Sequence, residues 1–229
     1  MSGLNTEGVK IASFSSAEVL DRYEDSFGAV EVQLVDGVYK DLVFDGSAPG
    51  SGVQSRLNIA DPRIPYLSYI KTMCLMSALH RNPKDILFLG MGGGSLPKYW
   101  IDNFPKAYKT IVDIRPLMFE VAQDHFEFTP DSRTTMVSRD ANSFLVEANN
   151  ASKTYDIIYV DIYMEGPSDL QNNKYFWKNA KKSLAPSGIV CANIWTSGKN
   201  EIKYYNIKRF YRDLFNTTFI VNNPQSYQV

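Results

Sequence analysis

The chain has 229 residues, a formal net charge of −1 and 21% charged residues. A length of this order fits one large domain, or a domain with a small appendage, that buries its core without disulfides or structural metal. The near-neutral balance supplies no general field for nucleic acid or an anionic membrane; no apolar run approaches the ~20 residues of a membrane span, and "MSGLNTEGVK" lacks the apolar centre of a signal peptide.

In chain order, "AVEVQLVDGVYKDLVFDG" alternates apolar and polar residues around Asp36-Gly37, which predicts a β-hairpin. Residues 1–57 read as a small β-rich region and 58–229 as the main domain. Pro62 and Pro65 precede a predicted helix in which Leu67, Ile70 and Cys74 recur at helical spacing. From Asp85 the pattern changes to short apolar strands: "DILFLG", "TIVDI", "TTMVS", "YDIIYVDI" and "GIVCANIW". Helices are expected between them, near 95–103, 116–127, 140–149 and 171–184. Alternation of that kind means parallel strands covered on both faces: an α/β, Rossmann-like, doubly wound sheet. The tail, "EIKYYNIKRFYRDLFNTTFIVNNPQSYQV", reads as a helix and then a strand. Cys74 and Cys191 lie inside apolar stretches and read as buried free thiols, in keeping with a reducing, cytoplasmic compartment. His80 and His125 stand alone at predicted helix ends, and no metal site is expected.

Doubly wound sheets bind ligands at the carboxyl ends of their strands. Gly90, Gly92 and Gly94 follow the first parallel strand as G-x-G-x-G, where backbone can approach a ligand or simply turn tightly. Asp113 ends the next strand, about 20 residues on, where an acid accepts both hydroxyls of a ribose. Asp140 follows the third strand, as an acceptor for an adenine amino group, with the Ala141 N–H facing a ring nitrogen, or as a plain helix N-cap. Asp161 ends the fourth. Four candidates on four successive strand ends point to an adenosine-type ligand. Arg115 leaves a 2′-phosphate, and so NADP, as an alternative.

These segments resemble the spermidine synthase (polyamine aminopropyltransferase) family. "NPKDILFLGMGGGSL" is similar to its strand and glycine loop, "VDIRPLMFEVAQDHF" to its ribose segment, "RDANSFL" to its adenine segment, "YDIIYVDIYMEGPSDL" to its catalytic segment and "SLAPSGIVCANIW" to its fifth strand. The resemblance implies the class I S-adenosylmethionine-dependent methyltransferase fold and an S-adenosylmethionine-type donor, decarboxylated or not. It also implies a homodimer, and places Gln54 near the donor. Two departures stand out. The family's G-G-G-D-G has Gly93 at its acidic position, and its D-x-x-D-P keeps Asp161 but has Met164 at the second acid, with Glu165 one place later. The gating-helix pair falls on Ser68 and Tyr69.

Attack on the donor's propyl arm transfers aminopropyl; attack on its methyl group transfers methyl. Either way an amine nucleophile must be neutral, which at pH 7 costs roughly 4 kcal/mol for a pKa near ~10, and a carboxylate can take the proton. Asp161, Tyr163 and Glu165 are the candidates for that step, Glu165 being equally readable as a solvated loop charge. Tyr69 and Trp195 are candidates for the acceptor side, with packing as the alternative role. An acid at position 93, ~4 Å from the carboxylate of ordinary S-adenosylmethionine, would cost on the order of 4 kcal/mol at an effective dielectric of about 20. Gly93 lifts that penalty and offers a backbone N–H in exchange. The expectation is therefore a transferase acting on a small polar, amine acceptor. A catalytically inactive nucleoside-binding homologue is the alternative, and a nucleic-acid methyltransferase is disfavoured because "DIYM" stands where an N-P-P-Y-like segment belongs.

Overall fold

The structure, a computed structural model, describes residues 16–44, 52–162, 173–194 and 201–221, with backbone alone for 201–207. The N-terminal strands β1 (Ala17–Asp25), β2 (Gly28–Val35), β3 (Tyr39–Phe44) and β4 (Val53–Asn58) form an antiparallel meander in the order β1-β2-β3-β4. The expected Asp36-Gly37 hairpin joins β2 to β3. Both residues hold positive φ, 50° and 68°, and Val38 N–H closes the turn on Val35 C=O at 3.1 Å.

Helix α1 (Ser68–Cys74) starts later than the prolines suggest. Leu67 is still extended (ψ 132°), so the helix begins at Ser68 and buries Ile70, Met73 and Cys74. A short α2 (Met76–Leu79) leads to β5 (Asp85–Leu89), α3 (Ser95–Asn103), β6 (Tyr108–Asp113), α4 (Leu117–His125), β7 (Thr134–Ser138), α5 (Ala141–Asn150), β8 (Tyr155–Val160), α6 (Lys174–Lys182), β9 (Leu184–Ala192) and α7 (Glu201–Leu214). The five later strands are all parallel, in the order β7-β6-β5-β8-β9. This is the Rossmann-like class I methyltransferase fold with an antiparallel N-terminal sheet, and its strand order reverses at β5.

Side-chain alternation sorts the apolar strands into two cores. Ile86, Phe88, Ile111, Ile157 and Tyr159 face α1, α3, α4 and the N-terminal sheet. Leu87, Leu89, Val112, Ile158 and Val160 face α5, α6 and α7. Burying such side chains is worth roughly 1.5–3 kcal/mol each, which is why the central strands β5 and β8 are apolar but for Asp85 and Asp156 and the tyrosine hydroxyls.

One buried polar chain decides where α1 sits. Trp100 Nε1 donates to Tyr159 Oη at 3.1 Å, and Tyr159 Oη donates to the Met73 carbonyl at 3.2 Å. The ring of Tyr159 stacks on Phe88, centroids 5.3 Å apart. Tyr159→Phe leaves the Trp100 indole N–H without its acceptor and the Met73 carbonyl with only its Leu75 N–H bond; it is expected to cost about 1–2 kcal/mol in urea denaturation and to loosen α1 over β8.

Residues 218–221 are not in a strand, and the rest of the segment read as helix and then strand, 222–229, lies outside the described residues. Phe219 is 80% exposed and Val221 64%. β-propensity records packing on neighbouring strands, and none pairs with this segment among the described residues. No helix among the described residues is long and apolar enough to cross a membrane.

Candidate active site

The rim at the carboxyl ends of the parallel strands opens into one cleft. Gln54, Tyr69, Gly90, Gly92, Asp113, Asp140, Ala141 and Asp161 all line it. Gly94 does not: it is the left-handed N-cap of α3 (φ 77°), and its bare face meets Met91 and Phe128. Tyr163, Glu165 and Trp195 lie outside the described residues, as does Met164.

Gly90 ends β5 at φ 97°, and a Cβ there would stand 2.1 Å from the Asp161 carbonyl oxygen. Packing against the end of β8 therefore already demands glycine. The loop N–H groups are mostly taken by protein acceptors. Gly90 donates to Val112 C=O at 2.8 Å and Gly94 to Met91 C=O at 2.9 Å. Met91 donates to Asp113 Oδ2 at 2.8 Å. Gly93 donates to Ser55 Oγ at 2.8 Å. The expectation that Gly93 offers its N–H to a ligand is thus corrected: a β4 hydroxyl occupies it. Gly92 and the first α3 residues, Ser95 and Leu96, remain as loop backbone at the cleft wall.

Asp113 is held on both oxygens, with Arg115 N–H donating to Oδ1 at 2.9 Å. Each oxygen keeps a further lone pair for a ligand. Burial pushes its carboxyl up, while the N–H bonds from Arg115 and Met91 pull it back. Arg115 lines the same cleft, but its guanidinium is committed elsewhere. It donates through Nε to Asp25 Oδ2 at 2.9 Å and through Nη2 to the Gly28 carbonyl at 2.7 Å, clamping the β1–β2 turn. That commitment removes the basis for a 2′-phosphate reading. Asp140 is the N-cap of α5, Oδ1 accepting from Ser143 N–H at 2.8 Å, so both roles read from the sequence fit one side chain that caps and also lines the cleft.

Asp161 collects partners from three elements. Its N–H bonds Leu89 C=O at 2.9 Å, and Asn193, just past β9, donates through Nδ2 to Oδ1 at 3.1 Å. The Tyr69 hydroxyl, from α1, faces the same carboxylate closely enough for each group to shift the other's acidity. Burial raises the Asp161 carboxyl above its ordinary value, and the bonds from Asn193 and Tyr69 lower it again. Burial likewise pushes the Tyr69 hydroxyl well up, helped by the adjacent Asp161 charge, so Tyr69 stays a donor. If Asp161 receives the acceptor's proton, the acid limb of kcat/KM lies above the ordinary carboxylate range. Tyr69→Phe then moves that limb to higher pH, because a bond favouring the charged form is gone; a pH–rate series on the two proteins checks it.

Ser55 and Asn193 escaped the sequence reading. Asn193 obeys the same strand-end rule as the aspartates, so position alone would have found it. Ser55 sits on a different sheet and carried no local signal. Gln54 is aimed by a register shift: Leu42 pairs Ser55 and Val43 pairs Val53, which leaves Gln54 as the bulged residue. The histidines are structural in position: His125 Nε2 lies 2.8 Å from Tyr23 Oη, and His80 Nε2 3.9 Å from Asp156.

Comparison with known proteins gives this rim a lineage. A polyamine aminopropyltransferase of Vibrio vulnificus is 28% identical over 167 residues, covering 72% of this chain and 54% of that protein. An eEF1A lysine and N-terminal methyltransferase of Mus musculus is 35% identical over 139 residues, covering 54% of this chain and 20% of that protein. The crystal structure of human methyltransferase-like protein 13 in complex with SAH superposes with a TM-score of 0.62 at 25% identity, over 69% of this chain and 77% of that one. The chain spans about half the length of the aminopropyltransferases it matches. These relatives are transferases of two kinds, aminopropyl and methyl. The model of the spermine/spermidine synthase domain matches residues 64–222, and the chain belongs to that family.

Proposed function

We propose that this protein transfers a methyl group from S-adenosylmethionine to an amine nitrogen of a small polar acceptor. The supporting observation is at loop position 93, where the glycine Cα faces Ser55 and Phe126. A Cβ there would lie 2.8 Å from Ser55 Cβ and 3.0 Å from the Phe126 ring. The loop therefore carries no acid to repel a donor carboxylate. Kinship with both aminopropyl and methyl transferases supports alkyl transfer from such a donor, and their printed substrates, polyamine and protein amine, share one chemistry.

The residues fit the donor. Asp113 keeps lone pairs for two ribose hydroxyls, Asp140 keeps one oxygen beyond its cap, and Ala141, the first residue of α5, lines the cleft. In the transfer, the amine lone pair forms the new N–C bond as the C–S bond breaks, and the sulfonium becomes a neutral thioether. Asp161, aligned by Tyr69 and Asn193, receives the acceptor's proton. Tyr163 or Glu165 and Trp195 belong to the acceptor side in this reading. A homodimer and a reducing cytoplasmic setting complete it; exposed Val19 and Leu20 on β1, and two free thiols, support these.

The test is turnover on an amine panel with S-adenosylmethionine and its decarboxylated form, products read by mass spectrometry. Methylated products are expected. Aminopropylated products would sink the donor assignment, and binding without any turnover would leave a nucleoside-binding homologue.

A further inference from the structure

Ser55 stands where a loop side chain would go. It is 7% exposed, lines the cleft from β4, and touches two loop positions at once. Its Oγ accepts the Gly93 N–H at 2.8 Å, and the same Oγ lies 3.0 Å from the place of a Cβ on Gly92. The backbone at Gly93 is not in the left-handed region, so an L-residue is acceptable there by conformation. Only contact forbids it: Ser55 Cβ at 2.8 Å and the Phe126 ring at 3.0 Å from the added carbon. A ring edge can yield by tenths of an ångström; a Cβ fixed to a strand backbone cannot. Strand β4 is itself pinned next door. The buried Arg56 guanidinium makes paired bonds of 2.5 Å to both oxygens of Asp41 on β3.

We propose that Ser55 is the specificity-determining residue for the donor. It fills the volume a loop acid would need and takes the Gly93 N–H, and so holds the loop in a form that accepts a sulfonium donor bearing an α-carboxylate. Donor choice thus depends on the N-terminal sheet together with the glycine loop. This rests on the reading that the donor lies over that loop.

The experiment is titration calorimetry of the full chain with S-adenosylmethionine and its decarboxylated form. The proteins are wild type, Gly93→Asp, Ser55→Gly and the double variant, each checked by thermal melting. Wild type is expected to prefer S-adenosylmethionine. Gly93→Asp alone is expected to lose both donors by about tenfold or more, because the loop is displaced. Ser55→Gly/Gly93→Asp is expected to recover the decarboxylated donor and to reverse the preference. A milder pair guards against misfolding. Gly93→Ala is expected to weaken S-adenosylmethionine about tenfold, and Ser55→Gly/Gly93→Ala to regain it to within about threefold of Ser55→Gly. If Gly93→Asp alone behaves as the double variant does, or if the alanine pair is simply additive, Ser55 has no such role. If wild type binds neither donor, the functional reading itself fails.

Discussion

Asp161→Ala is expected to lower turnover by about 10²–10⁴-fold while leaving donor affinity within about threefold. In the proposed reaction the amine acceptor arrives as an ammonium ion, and only its small neutral fraction is nucleophilic at pH 7. In that reaction Asp161, held by Asn193, takes the ion's proton. Asp161→Asn is the sharper variant, since it keeps size and one acceptor oxygen for Asn193 yet cannot take a proton; its turnover is expected to fall nearly as far. Parallel losses in kcat and kcat/KM, measured at saturating donor, would mark a group acting in the transition state. A rise in KM alone would reassign Asp161 to acceptor binding.

Asp113→Ala is expected to weaken S-adenosylmethionine by at least ~1.5 kcal/mol, more than tenfold, because a charged acceptor leaves two hydroxyls unpaired. It is also expected to lower folding stability by about 2 kcal/mol, since the Met91 and Arg115 N–H groups, at 2.8 and 2.9 Å, lose their acceptor. Calorimetry and urea denaturation separate the two losses. Asp113→Asn keeps an acceptor for one of those N–H groups and none for the other, so it should fall between wild type and alanine on stability. Unchanged donor affinity in either variant would take Asp113 out of the site.

The aspartates were legible because strand ends are legible. Apolar runs at β5, β6, β7 and β8 fix where each strand stops, and in a parallel sheet every stop faces one rim. Asp113, Asp140 and Asp161 follow from that rule. What stayed hidden is whatever depends on a different sheet or on an irregularity of pairing. Ser55 reaches Gly93 across 38 positions of sequence, and Arg115 reaches Asp25 across 90; neither pairing has a local pattern. Gln54 was placed by resemblance, but the bulge that aims it is a property of β3–β4 register. Residues 218–221 have strand character, but no strand pairs with them among the described residues.

The most direct test of the central claim is a crystal structure of the chain with S-adenosylhomocysteine bound. The account predicts the adenosine across the ends of β5, β6 and β7, its ribose hydroxyls within hydrogen-bond distance of both Asp113 oxygens, and its amino-acid carboxylate near the loop beside Ser55. A nucleoside found elsewhere on the protein, or a ribose that leaves Asp113 uncontacted, would contradict it.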